Sequence, residues 1–155
     1  MSIKYKKVSL ASLEEFESFC TNNPDIKYID AILSDISGII RGKRLPINEA
    51  KKLFISGIQF CYSTFLLDAS GYCADAAGRG FSDGDPDATF FPVSGSLMIM
   101  PWHKDPLAQV LITIQDDSRY SSIIDPRNVL AKVLEKFDDL NLSLKVAFEF
   151  LPRRI

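Results

Sequence analysis

Histidine is almost missing from this chain: His103 is the only one in 155 residues, so a His–His metal site within it is excluded and a surface histidine is expected. Cysteine is scarce and odd in number. Cys20, Cys61 and Cys73 have no CxxC spacing, which argues against a disulfide framework and against a zinc site. Reduced thiols and a cytoplasmic location are the expectation. No apolar run approaches the roughly 20 residues that a membrane span needs. No apolar segment near the N-terminus marks a secretory signal. There is no GxxxxGK[ST] loop and no G-x-G-x-x-G, and Gly78-Arg79-Gly80 is too isolated to cradle phosphate. With 18 Lys and Arg against 20 Asp and Glu, the net charge is -2, so the basic stripe of a nucleic-acid-binding protein is absent. The small basic clusters at 4–7 and 41–44 do not change that, and the first reads as a solvated face.

What is present is ordinary globular material, 46% hydrophobic and 25% charged, enough for one domain with a core or one domain plus a piece of another. Ser12 before Leu13-Glu14-Glu15-Phe16, with Glu15 at the third helical position, predicts a helix that Asn22-Asn23-Pro24 ends. Residues 27–36 read as a strand, Ser37-Gly38 as a turn, and Ile39-Ile40-Arg41 as its hairpin partner. Pro46 opens a helix over 47–56 that Gly57 ends. Residues 58–67 read as one apolar and aromatic strand. Residues 68–95, rich in Gly, Asp and Ser, read as a long functional or mobile loop.

Strands are expected again at 96–100 and 109–114, with a turn at Asp116-Asp117-Ser118. Asp125-Pro126-Arg127 starts a helix with an N-cap Asp and Pro in its first turn, and Val129, Val133, Leu134 and Phe137 line one face. Residues 142–150 read as a final strand. The pattern is α+β: a small mixed sheet with one or two helices, then a helix and a strand that begin something new.

Taken singly, the polar residues have modest readings. Asp85 and Asp87 in Gly84-Asp85-Pro86-Asp87 fit turn-making Asp-Pro geometry better than cation binding. Trp102 after Pro101 reads as a packing anchor rather than a ligand-stacking ring. Cys61, on an apolar strand, reads as core. Ser63 and Thr64 have no base near them in sequence, which argues against nucleophilic catalysis. Glu149 in Ala147-Phe148-Glu149-Phe150 is costly to bury unpaired, so a metal ligand and an exposed strand-end carboxylate are both open.

The ordered set of motifs says more. Asp35-Ile36-Ser37-Gly38-Ile39-Ile40-Arg41-Gly42-Lys43, Asp68-Ala69-Ser70-Gly71, Gly84-Asp85-Pro86-Asp87, Leu97-Met98-Ile99-Met100-Pro101-Trp102 and Asp125-Pro126-Arg127 follow one another over residues 26–150. Together they resemble the N-terminal part of a glutamine synthetase family enzyme, and the combination looks like the γ-glutamylpolyamine synthetase branch. The resemblance implies a β-grasp-like N-terminal domain, a curled sheet of four or five strands over one long helix. It divides the chain into a helical extension (1–24), that domain (25–120) and the truncated first helix and strand of the catalytic domain (121–155).

It also implies a chemistry for the full-length family. ATP phosphorylates the glutamate side chain to γ-glutamyl phosphate, and ammonia or another amine displaces the phosphate, with Mg2+ or Mn2+ neutralising charge. Arg41, Lys43 and Arg44 then either face a neighbouring subunit's active site or form a solvated hairpin end. Arg41, Lys43, Ser63, Asp85 and Asp87 are the substrate-side or subunit-interface candidates. Glu149 matches one carboxylate of a metal-binding Glu-x-Glu pair whose second member would fall on Leu151, or on Ala147 in the other register. Cys61 stands where ammonia-using members carry an Asp. No catalytic residue and no tight ATP or metal binding are expected of these 155 residues alone. Glutamate and an amine are the expected substrates of the full-length enzyme, and a homo-oligomer or a full-length relative the expected partner. A non-enzymatic interaction module and a decayed, truncated gene product are the alternatives.

Overall fold

The computed structural model describes residues 8–73, 75, 78, 82–114, 124–147 and 149. Helix α1 (Leu13–Asn22) starts where Ser12 Oγ accepts the Glu15 amide at 3.2 Å. Glu15 does not complete the reciprocal capping box. Its carboxylate accepts Ser94 Oγ at 2.9 Å and the Gly95 amide at 2.8 Å, which ties the helix to a distant turn. Helix α2 (Ile47–Ser56) follows Pro46 and ends at Gly57, whose φ of 74° suits glycine. An added Cβ at Gly57 would also lie 2.6 Å from the Phe90 carbonyl oxygen. Phe16 of α1 and Phe54 of α2 pack with ring centroids 4.7 Å apart.

Strands β1 (Tyr28–Ser34), β2 (Ile40–Pro46), β3 (Ile58–Cys61), β4 (Asp87–Pro92), β5 (Met98–Ile99) and β6 (Leu107–Ile114) form a six-stranded mixed sheet. Its order is β2-β1-β6-β4-β3, and β5 also pairs with β6. The β1–β2 hairpin is antiparallel, from Tyr28 opposite Pro46 to Ser34 opposite Ile40. β6 runs parallel to β1 and antiparallel to β4. As the central strand it is apolar nearly throughout, whereas β1 alternates and buries Ile29, Ala31 and Leu33. Those residues join Leu53, Phe60, Phe65, Phe90, Val110 and Ile112 in one core. Helix α3 (Pro126–Asp139) follows the N-cap Asp125.

Several expectations need correction. The apolar run 58–67 is a strand only to Cys61, after which Tyr62–Leu66 turns as a 3-10 helix held by the Tyr62 amide on the Pro86 carbonyl. The segment 68–95 is not structureless, because β4 lies within it and buries Ala88, Phe90 and Pro92. Two ten-residue helices, rather than one long helix, accompany the sheet. Of the final strand expected at 142–150, the described residues 142–147 and 149 are irregular, since period-2 apolar spacing makes a strand only when another strand supplies the ladder. On α3, Val129 and Val133 are exposed, and none of its described residues is buried. Trp102 sits in the turn between β5 and β6 and is 68% exposed, so it anchors no packing there. The turn expected at 116–118 lies outside the described residues.

Candidate functional site

The first part of the candidate site is the tip of the β1–β2 hairpin. Asp35 is buried, and its Oδ1 accepts the Ser37 amide at 2.9 Å and the Ile39 amide at 2.8 Å. Its Oδ2 accepts Arg41 Nε at 2.9 Å. Burial alone would push this carboxyl up, but the Ile39 amide, Arg41 and the Ser37 amide outweigh it and hold the group below the usual aspartate value. Arg41 then donates from Nη2 to the Asp68 carbonyl at 3.1 Å. Asp68 in turn closes its own turn by accepting the Ser70 and Tyr72 amides at 2.8 and 2.9 Å. The Ile36 amide donates to the Phe65 carbonyl at 2.9 Å. The tip is thus fastened to the 3-10 turn and to the segment after it.

Lys43 is exposed on β2. Its Nζ donates to the Gln59 carbonyl at 2.9 Å and lies 4.4 Å from the Phe60 ring centroid. Gly42 beside it is required by close approach, because a Cβ there would collide with the Ala31 carbonyl oxygen.

The second part joins the 3-10 turn to the Gly84-Asp85-Pro86-Asp87 motif. Ser63 is buried, and its Oγ donates to Asp85 Oδ2 at 2.8 Å. Its amide donates to Asp85 Oδ1 at 3.3 Å. Asp85 holds a left-handed φ of 46°, and its own amide donates to Asp83 Oδ1 at 3.1 Å. Cys61 Sγ donates to Asp87 Oδ1 at 3.2 Å. That bond, burial and the nearby Asp85 push the Cys61 thiol up to about 11. Burial raises the Cys73 thiol too, helped by Asp85, Asp75 and Asp83. Thiols in such an acidic setting are poor nucleophiles. Cys61 is only half-buried, so it is a bonded rim residue and not a core one.

Sequence distance hid the carboxylate beside Ser63, since Asp85 lies 22 positions away. It holds Ser63 by two bonds rather than activating it, because hydroxyl nucleophiles depend on a stronger base such as imidazole. The sole histidine, His103, accepts the Asp105 amide on Nδ1 at 3.2 Å in the β5–β6 turn. Arg41, Lys43, Ser63, Asp85 and Asp87 therefore lie along one linked rim, running from the hairpin tip through β3 and the 3-10 turn to the start of β4. Asp35 and Asp68, which organise that rim, head two of the sequence motifs but are not among the site candidates read from sequence, although Asp-x-Ser-Gly at 35–38 and at 68–71 is a side-chain-to-backbone turn pattern.

Glu149 is exposed in the irregular segment that follows α3. Among the described residues, no three His, Cys, Asp or Glu side chains cluster as a metal set. The described residues therefore do not fit a bound divalent metal by themselves. No helix among them is long and apolar enough to cross a membrane.

No protein-family model matches the chain. It is 36% identical over 141 residues to γ-glutamylputrescine synthetase PuuA of Escherichia coli strain K12, a match covering 90% of this chain and 29% of that protein. It is 30% identical over 118 residues to glutamate–isopropylamine ligase of a Pseudomonas species, covering 75% of this chain and 26% of that protein. Two solved structures share the fold: a GmaS–ADP complex (TM-score 0.59, 20% identity, 86% of this chain and 26% of that one) and Plasmodium falciparum glutamine synthetase (TM-score 0.57, 18% identity, 87% and 24%). The architecture is that of an N-terminal glutamine synthetase domain. The chain belongs to the glutamine synthetase family, aligns with its N-terminal part, and sides with the γ-glutamylpolyamine synthetase-like branch. It spans less than a third of the length of the curated relatives it matches.

Proposed function

We propose that this chain is the N-terminal part of an ATP-dependent ligase that joins glutamate to an amine through γ-glutamyl phosphate. In this reading residues 25–120 form the β-grasp-like domain, 1–24 a helical extension, and 121–155 the first helix and strand of a catalytic domain. The observation that carries it is the 36% identity to γ-glutamylputrescine synthetase across 90% of the chain. The linked rim supports it further, because Arg41, Lys43, Ser63, Asp85 and Asp87 are held in fixed geometry at one end of the sheet.

That rim would face a neighbouring subunit's active site in a cytoplasmic homo-oligomer. Glu149 would supply one carboxylate to a Mg2+ or Mn2+ set completed by residues of the longer protein. ATP would bind outside this part. The 155 residues alone would not turn over. Incubating the pure chain with glutamate, ATP, magnesium and putrescine or isopropylamine tests this. No γ-glutamyl product is expected from the chain alone, and product is expected from a protein that also carries the rest of the family's length. Sustained product formation by the 155-residue chain contradicts the reading.

A further inference from the structure

The pieces of the rim arrive at one end of the sheet. β1 runs parallel to β6 with Ile32 opposite Leu111, so Asp35 is level with Ile114 at the end of β6. β4 runs antiparallel to β6 with Phe90 opposite Ile114, so its first residue, Asp87, lies at that same end. Helix α3 is fastened there too, by a buried polar cluster. Thr113 on the central strand is 2% exposed, and its Oγ1 donates to Asp125 Oδ2 at 2.7 Å. Asp125 is 1% exposed, and its Oδ1 accepts the Arg127 amide at 2.9 Å. Asn128 Nδ2 donates to Asp125 Oδ2 and to the Ile114 carbonyl, each at 3.4 Å.

Capping a helix needs only the amide bond, which an exposed Asp supplies equally well. Burying the carboxylate costs free energy that the cap does not require. Here burial brings the second oxygen onto the central strand, so one residue both starts α3 and fixes it to β6. Hydrogen bonds are directional, so bonds on both oxygens set an orientation that apolar contact would leave free. We propose that Asp125 is a positioning residue: with Thr113 and Asn128 it sets α3 against the rim end of the sheet, so that the rim and the unit α3 opens keep one geometry during ligation. This role rests on the ligase reading above, in which α3 opens the catalytic domain. A misplacement of about 1 Å far from the chemistry can slow a reaction about a hundredfold.

Thr113→Val removes the bond to Oδ2 but keeps the side chain's shape and the α3 cap, whereas Thr113→Ser keeps the bond. Hydrogen–deuterium exchange of the 155-residue chain is expected to show α3 amides exchanging about tenfold faster in Thr113→Val, with β1 unchanged and Thr113→Ser near wild type. A chimera carrying this chain in place of the matching part of E. coli γ-glutamylputrescine synthetase reads the catalytic consequence, with rates taken per assembled oligomer. Thr113→Val is expected to lower kcat about tenfold and leave the KM for ATP near wild type, and Thr113→Ser to keep most of kcat. Exchange in α3 that ignores Thr113→Val overturns the proposal. So does a loosened α3 in a chimera of unchanged kcat, or a loss carried by the KM for ATP instead. A parent chimera that releases no ADP with putrescine counts against the ligase reading and takes the catalytic role with it, while the exchange result still decides whether the clamp holds α3.

Discussion

Lys43 on β2 donates to the Gln59 carbonyl on β3 at 2.9 Å, although these strands stand at opposite ends of the pairing order. The sheet therefore curls until its two outer strands meet through one side chain. The contact combines a charge-assisted hydrogen bond with a cation over the Phe60 ring. Because Lys43 is exposed, Lys43→Met is expected to cost only about 1 kcal/mol of global stability. Its local effect should be larger. Amide exchange should rise in β3 and stay near wild type in β1, which is measurable by hydrogen–deuterium exchange with mass spectrometry. Equal change in both strands would mean that the bridge does not hold the curl.

Asp35 gives a pH dependence with a definite sign. Its folded carboxyl titrates below its unfolded value. The stabilisation is therefore complete above the ordinary aspartate value of about 4 and is lost as pH falls through the folded value. Asp35→Asn cannot accept from two amides and Arg41 with the same charge, and it should cost about 3 kcal/mol at neutral pH. Urea unfolding near pH 7 and again near pH 3 should show the gap between wild type and variant shrinking in acid.

The Ser63–Asp85 pair holds a strained residue. A non-glycine φ of 46° is kept because two donors of Ser63 fix the carboxylate. Ser63→Ala removes one of them and should lower stability by about 1 kcal/mol. Asp85→Val adds a β-branched clash in the left-handed region and should cost about 2 kcal/mol more. Thermal unfolding of the two variants gives the comparison.

Asp87 controls Cys61. The Asp87 carboxylate is the first cause of the high thiol value near 11, ahead of burial and Asp85. Asp87→Asn removes that negative neighbour, lowers the thiol toward its ordinary range, and should speed alkylation of Cys61 several-fold at mildly alkaline pH. Peptide mapping separates Cys61 from Cys20 and Cys73.

Local rules made α1, α2, α3 and the β1–β2 hairpin legible, because caps, Pro46, Gly57 and Ser37-Gly38 act over a few residues. The central strand β6 was legible from its apolar run. Strand β4 was hidden because Pro86 precedes it, Pro92 is its last residue, and a Gly- and Asp-rich stretch comes before it. The end of β3 at Cys61 was hidden because Pro86, Asp85 and Asp87, which turn the chain there, are more than 20 positions away. Residues 142–147 misled in the other direction: their alternation is real, but among the described residues no neighbouring strand pairs with them. Of the rim, sequence order pointed to Arg41, Lys43, Ser63, Asp85 and Asp87. It could not show that Asp35 and Asp68 lock them together.

The central claim is that this chain is a working N-terminal part of a glutamate–amine ligase. The most direct measurement replaces the matching part of E. coli γ-glutamylputrescine synthetase with this chain and follows putrescine-dependent ADP release. A folded, assembled chimera that ligates putrescine to glutamate, and loses that activity with Arg41→Ala and Asp85→Ala, is the expected result. A chimera that folds and assembles but releases no ADP with putrescine, or whose activity ignores both substitutions, would contradict the account.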